Sequence, residues 1–388
     1  MVTLDSLRDR DVVIYGTGIN ALKCVSFLEQ NGIEIQYMLD GRDGIGRFKN
    51  YSVYKPVHEK LKNKFIVVAS SYETYFTIKK NIGPMQEFKD FIYYLWIDKK
   101  MVFLHGNCHM DVIEGYLKSS DEFAKEFAIY PTPRICTKKK LNEKIIKYMD
   151  VWIHEDIRSN NVFGYEYSDE YVGKFIKKNA IRIVMPHLYN LGVGFFPHAR
   201  ETNDKNAPLL NGAYENGFFP HRDNIIDKCI NESMPLEEIY SYVNEDNILP
   251  EEYIVNNFNI YIEKIKQREK AWDIKILDFI LENYKKYKLF YDMGHPTNIV
   301  LKKISVEILA YLGIKDDNIH TDTKLDYHEV PIYPWIRKVL KMEWKEEFIR
   351  IDKDAIKCKD TMDIKEYIKE YVWWCYTGLD RINYEEYK

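Results

Sequence analysis

The chain has 388 residues, enough for two or three domains, and 46% of them are hydrophobic, enough for real cores. Its formal net charge of −4 gives no general attraction to nucleic acid or to an anionic membrane, and the basic runs Lys138-Lys139-Lys140 and Lys285-Lys286 read as solvated helix faces. No apolar stretch approaches the roughly 20 residues that span a bilayer, and no basic-then-apolar leader opens the sequence, so neither a transmembrane segment nor a secretory signal is expected and a reducing cytoplasm fits.

Residues 11–98 read as a small α/β unit. Val12-Val13-Ile14-Tyr15 has the continuous apolar character of a buried strand, Gly16-Thr17-Gly18 is a turn, and residues 20–30 have helical periodicity ending at the Asn31-Gly32 cap signal. Residues 33–39 form the second predicted strand, closed by Asp40, and residues 65–69 form the third. Strand, helix and strand in this rhythm predict parallel pairing with right-handed crossovers. Gly16-x-Gly18-x-x-Ala21, with Asp40 about twenty residues on, fits the dinucleotide-binding fingerprint: the glycines admit a diphosphate to the backbone, the helix start supplies N–H groups, and Asp40 accepts from a ribose or sugar hydroxyl. A tight turn that binds nothing has the same spelling. The unit has about three or four strands where a full dinucleotide fold has about six, so a nucleotide or nucleotide-sugar half-site is as good a reading as NAD.

A second α/β unit is expected from residue 99 onward, with strands at 101–105, 151–153, 181–184 and 288–291. Helices are expected at 109–118, 140–148 and 170–178, along a long amphipathic segment near 250–287, and at 298–313; two further helical stretches belong to the tail, 330–388. The 31 tyrosines are spread along the chain and mark no site. Cysteines occur at 24, 108, 136, 229, 358 and 375, with no CxxC pair and no metal-ligand spacing, so reduced thiols and no metal site are expected.

Two short motifs carry the chemistry. Gly106-Asn107-Cys108-His109 follows an apolar strand and precedes a helix, where the positive end of the helix dipole favours a thiolate and the first N–H groups can hold an oxyanion. Asp292-Met293-Gly294-His295-Pro296 places a carboxylate three residues before an imidazole, a spacing that lets the acid orient the ring. Thiol, imidazole and carboxylate are the three parts of an activated nucleophile. The segment Arg158-Ser159-Asn160-Asn161 follows another predicted strand, on the side where the other active loops are expected, and reads by itself as a polar turn. His187, His198 and His221 lie among prolines and aromatics, with Phe195-Phe196-Pro197-His198 echoed by Phe218-Phe219-Pro220-His221, and their spacing matches no metal-ligand pattern.

Residues 10–95 resemble the N-terminal domains of some sugar O-acyltransferases, which share a glycine turn and a strand ending in Asp. The later motifs are similar to those of SGNH/GDSL-type hydrolases, in which a GDS-type nucleophile motif opens the domain and DxxHP comes near its end; here GNC stands in the first place, so serine is replaced by cysteine. A narrower resemblance rests on Gly106-Asn107-Cys108, Asp150-Val151-Trp152-Ile153-His154, Met185-Pro186, Phe195-Phe196-Pro197 and His295-Pro296-Thr297, over residues 100–345. In these the chain resembles the WcbI family of capsule polysaccharide-biosynthesis proteins. His109 departs from it, standing where that family often has Gln, as does the stretch His154-Glu155.

The resemblance implies an α/β protein: a Rossmann-like domain over 1–98, then an SGNH-like domain with a helical extension over 99–388. It implies an acyltransferase using coenzyme A or acetyl-coenzyme A as a substrate, a sugar acceptor, and catalysis by Cys108, His295 and Asp292. Asn107 or Asn160 would donate to the oxyanion, the aromatics near His187, His198 and His221 would line an acyl or pantetheine channel, Gly106 and His109 would line the coenzyme pocket, and Gly16, Gly18, Ala21 and Asp40 a nucleotide pocket. Two other readings stay open: an SGNH-like carbohydrate esterase or deacetylase, and a nucleotide-sugar binder without acyl chemistry. A homo-oligomer also stays open.

Overall fold

The structure, a computed structural model, describes residues 1–188, 191–201, 219, 221–246, 248–326, 328–345, 349–350 and 361–377. It is mixed α/β, and its contacts gather into two compact units. The first comprises Met1–His105, Ser120–His154 and Arg158–Arg182, the second Gly106–Ser119, Glu155–Ile157 and Ile183–Lys388.

The first unit opens with helix α1 (Leu4–Arg8) and strand β1 (Val12–Tyr15). Helix α2 (Ile19–Gln30) leads to β2 (Ile35–Leu39), and the short strands β3 (Arg47–Phe48) and β4 (Tyr51–Tyr54) follow. Helix α3 (His58–Leu61), β5 (Phe65–Val68), α4 (Tyr72–Asn81) and β6 (Phe91–Tyr93) complete a six-stranded sheet ordered β3-β4-β2-β1-β5-β6. β1 pairs in parallel with β2 on one side and β5 on the other, and only β3 runs antiparallel to its neighbour. Val12, Val13 and Ile14 have no exposed surface, which is why the strand reads as one unbroken apolar run.

A four-stranded sheet, β10-β9-β7-β8, is built from β7 (Lys100–His105), β8 (Phe127–Tyr130), β9 (Val151–Glu155) and β10 (Ile181–Met185), with β7 parallel to both β8 and β9. The chain leaves the first unit at the carboxyl ends of β7 and β9: Gly106 follows His105, and Glu155 follows His154.

In the second unit, helix α5 (His109–Lys118) has the span its sequence predicts. The expected helix near 250–287 is broken: Glu251–Arg268 runs into one tight turn, Glu269–Ala271, and a new helix covers Leu277–Asn283. The helix expected at 170–178 stops at Val172, just before Gly173. The strand expected at 288–291 does not form. The segment instead folds back on itself, with the Tyr291 N–H donating to the His295 carbonyl and the Thr297 N–H to that of Leu289, both at 2.8 Å. The apolar run Leu289-Phe290 is buried by this loop, where the sequence alone reads as a strand. No described helix is long and apolar enough to cross a membrane.

Candidate active site

The second unit holds both motifs. Cys108 occupies the N-cap of α5, three residues past the end of β7, and its side chain caps nothing. Gly106 makes the turn possible: a Cβ there would lie 2.7 Å from Met110 Cε and 2.8 Å from Glu155 Oε1, closer than packed atoms tolerate. α5 packs along helix Asn298–Tyr311, with the Tyr116 hydroxyl donating to the Asn298 carbonyl at 3.3 Å. That second helix begins directly after the DxxHP loop, so this packing carries His295 to Cys108. Sγ lies 3.6 Å from His295 Nε2, although 187 positions separate the residues in sequence.

Asp292 organises its own loop. Oδ1 accepts from the N–H groups of Gly294 and His295, both at 2.7 Å, and Oδ2 accepts from His295 Nδ1 at 2.7 Å. Because Nδ1 donates to the carboxylate, Nε2 is the nitrogen that exchanges a proton with the thiol. His221 adds a second imidazole, with Nε2 3.4 Å from Asp292 Oδ2. Burial alone would raise Asp292, but the two histidines hold it well below the usual carboxylate range. Burial likewise opposes a charge on His295, yet the hydrogen bonds and charges of Asp292 and Cys108 push it up to about 10. A ring protonated at neutral pH thus faces a half-buried thiol.

Glu155, the last residue of β9, is a second buried hub, with no exposed surface. Oε1 accepts from the Asn107 N–H at 3.1 Å and lies 3.1 Å from His109 Nδ1; Oε2 lies 2.8 Å from His187 Nδ1 and 3.4 Å from Asn107 Nδ2. Burial works to raise this carboxyl, but His109 and His187 hold it well below its ordinary range. His109 then reaches across with Nε2, 2.9 Å from the Gly294 carbonyl oxygen. One ring therefore joins the cysteine helix to the histidine loop. Among the described residues, Cys108, His109 and His295 also present Sγ and ring nitrogens within 4.8 Å of one another, a spacing at which a metal could sit. Both His109 nitrogens already have partners, Glu155 and Gly294, and a metal would have to break one contact.

Cys108, His109, Asn107, Gly106, Asp292 and His295 therefore meet in one place. Asn107 turns its amide toward Glu155. Asn160 is exposed in the first unit, on a turn that Asn161 closes through the Arg158 and Gly164 carbonyls. Gly16, Gly18, Ala21 and Asp40 also belong to the first unit, where all but Ala21 line a cavity of their own. Phe195 is buried and stacks on Phe290 with ring centroids 5.3 Å apart, so it is packing under the histidine loop. His198 is buried and pushed down to about 3 by that burial; Phe218, Pro220 and Cys358 lie outside the described residues. Sequence reasoning missed the parts played by Glu155, His187 and His221. The acid pair Glu155-Asp156 at the end of the apolar strand Val151-Trp152-Ile153 was the available signal for the first.

The two acids fix a pH dependence. Asp292 and Glu155 have lowered folded-state values, so they stabilise the fold above the unfolded carboxyl values of about 4 and lose that contribution as pH falls below them. His295, raised to about 10, stabilises fully below the unfolded histidine value and loses its contribution as pH rises toward about 10. Urea midpoints should therefore fall on the acid side below about pH 4, and Asp292→Asn should flatten that limb. An identical acid limb in wild type and variant would contradict this assignment.

No curated protein sequence matches the chain. A solved structure of WcbI is similar, with a TM-score of 0.59 and 16% identity over 71% of this chain and 90% of that one. That protein is described as a novel polysaccharide biosynthesis enzyme, in its native form without a disulfide bond between coenzyme A and one of its cysteines. At such identity the likeness bears on the fold. The sequence profile of the polysaccharide biosynthesis enzyme WcbI matches residues 101–317, more than half of the chain and the whole of the cysteine–histidine–carboxylate site. The chain belongs to the WcbI family of polysaccharide biosynthesis enzymes.

Proposed function

We propose that the chain is an acyltransferase that moves an acyl group, acetyl in the simplest case, from coenzyme A to a sugar hydroxyl during synthesis of a surface polysaccharide such as a capsule. The observation that supports it is the line from Cys108 Sγ to His295 Nε2 at 3.6 Å and from His295 Nδ1 to Asp292 Oδ2 at 2.7 Å. In the similar WcbI structure a cysteine and coenzyme A are the pair whose disulfide is at issue; Cys108 is the residue of this chain suited to such a partner. The accompanying fold reading is an SGNH-like domain over 99–388 with cysteine in place of serine, after a Rossmann-like domain over 1–98, in a cytoplasmic protein.

The chemistry follows from the geometry. The reacting form carries the shared proton on His295 Nε2, which leaves an Sγ lone pair free to attack. Sγ attacks the thioester carbonyl, its oxygen gathers negative charge at the start of α5, and coenzyme A leaves as its thiol with the proton from His295. The acyl group now rests on Cys108 as a thioester. His295 next accepts the sugar hydroxyl proton, the alkoxide attacks the acyl carbon, and Cys108 is released with its hydrogen restored. Thioester exchange is nearly isoenergetic, so cysteine suits this first half better than serine.

Intact-protein mass spectrometry after mixing with acetyl-coenzyme A tests the reading. One acetyl adduct, mapped to the peptide holding Cys108, is expected. Acceptor acetylation with no adduct, undiminished in Cys108→Ala, would remove the covalent route. Acetate release from an acetylated sugar in the absence of coenzyme A would make the protein an esterase instead.

A further inference from the structure

The first unit carries a cleft that the acyl chemistry does not use. Its inner part is a cavity of about 440 Å³ at the carboxyl ends of β1, β2 and β5, lined by Gly16, Gly18, Asp40, Arg42 and Ser71 among others. β1 pairs with β2 on one side and β5 on the other, so the cavity opens where the strand order reverses, the place where open α/β sheets bind ligands. A neighbouring cavity of about 730 Å³ shares Asn20 and Ser71 with it and is lined by Tyr72, Tyr93, Tyr94 and the cations Lys23, Lys99 and Lys125.

Each wall has a chemical bias. Gly16 (φ +120) allows β1 to pass close to β5, since a Cβ there would lie 2.5 Å from the Ala69 carbonyl oxygen. Gly18 is different: a Cβ there would meet nothing within 4 Å, and no side chain caps α2. The space beside the helix start is therefore open to an anion. Asp40 is buried and accepts from the Thr17 hydroxyl and from Arg42 at N, Nε and Nη2. Burial works against its charge, but Arg42 and Thr17 bring it down to about 2. Asp40 thus stays an anion whose work is to hold the guanidinium at the cavity edge, leaving Nη1 donors for a phosphate. Past Asn20 and Ser71, tyrosine rings offer faces for a sugar. Three lysines against one acid, Asp98, leave this cavity net positive and disfavour the cationic ring of oxidised NAD, and the sheet has only β6 beyond β5, too little for a second nucleotide half.

We infer that this cleft binds a nucleoside diphosphate sugar, its diphosphate between the start of α2 and Arg42 and its sugar among the tyrosines of the second cavity. The inference stands independently of the acyl-transfer reading.

Calorimetry and thermal shift on the full chain test it, with UDP-glucose, UDP-glucuronate, GDP-mannose and dTDP-glucose as probes and NAD and coenzyme A as comparisons. Gly18→Asp puts a preferred helix-capping carboxylate into open space, so the fold should keep its melting temperature while the diphosphate is repelled. Arg42→Ala, at a side chain 64% exposed, is the second variant. At least one nucleotide sugar should bind saturably, lose about tenfold or more in affinity in each variant, and bind Cys108→Ala as it binds wild type. Binding by none of the four, binding only by NAD or coenzyme A, or binding unchanged in both variants would overturn the inference.

Discussion

Cys108→Ala is expected to abolish acyl transfer, by about 10⁴-fold or more in kcat, while leaving the melting curve almost unchanged. The size of the loss follows from what the sulfur does. In the proposed reaction it forms the bond to the acyl group, and among the described residues the two neighbouring histidines offer no nucleophile in its place: His295 is directed by Asp292 toward the sulfur, and His109 is held between Glu155 and Gly294. The small effect on folding follows from position, since Cys108 is half-buried at a helix start and its side chain caps nothing. Cys108→Ser keeps a hydrogen-bonding atom there, yet the hydroxyl ionises far less readily, so only a weak residual activity should survive. Cys24 and Cys229 serve as controls. Burial pushes them up to about 12 and about 11, so they stay as protonated thiols, and their replacement by Ala or Ser should leave transfer rates intact. Steady-state rates with acetyl-coenzyme A and an acceptor sugar, beside melting curves, decide the matter. Full activity in Cys108→Ala would end the nucleophile assignment.

Glu155→Ala should cost about 3–5 kcal/mol of stability, the range for removing one partner from a buried charged group. The carboxylate accepts from Asn107 and contacts His109 and His187, and all of it is out of water. Alanine leaves the Asn107 N–H and His109 Nδ1 facing a hollow where the acceptor stood. Activity should fall with it, because His109 loses the contact that aims Nε2 at the Gly294 carbonyl. Glu155→Gln preserves the shape and one acceptor oxygen and should lie between wild type and alanine on both counts. Urea unfolding together with transfer rates measures both. If Glu155→Ala unfolds at the wild-type midpoint, the carboxylate is not the hub its contacts indicate.

The parts of this molecule legible in the sequence were those with a local cause. The glycine turn after Val12–Tyr15 and the Cys108 helix start each depend on residues adjacent in the chain, and both stand where their spelling puts them. Strands β4, β6 and β8 went unread because three or four residues such as Phe91–Tyr93 carry too little periodicity; the sheet around them makes them strands. The apolar run at 288–291 misled for the opposite reason: burial came from packing beneath a loop, not from a ladder. In the site, Cys108, Asp292 and His295 were readable because thiol, acid and imidazole have recognisable chemistry. Glu155, His187 and His221 were not, because their importance lies in partners distant in the chain, and no spacing rule links position 155 to 109.

The ring of His109, held at one nitrogen by Glu155 and at the other by Gly294, has a bearing on how the protein matures. The pieces it joins come from opposite ends of a stretch of well over one hundred residues, so loop closure on that scale must be complete before sulfur and imidazole meet. A chain still on the ribosome, or collapsed with its helices formed but its long-range order missing, would own every reactive side chain and have no reactive pair. Under the proposed acyl-transfer reaction, competence for chemistry would then be a late reporter of maturation, and immature copies would spend no acyl donor.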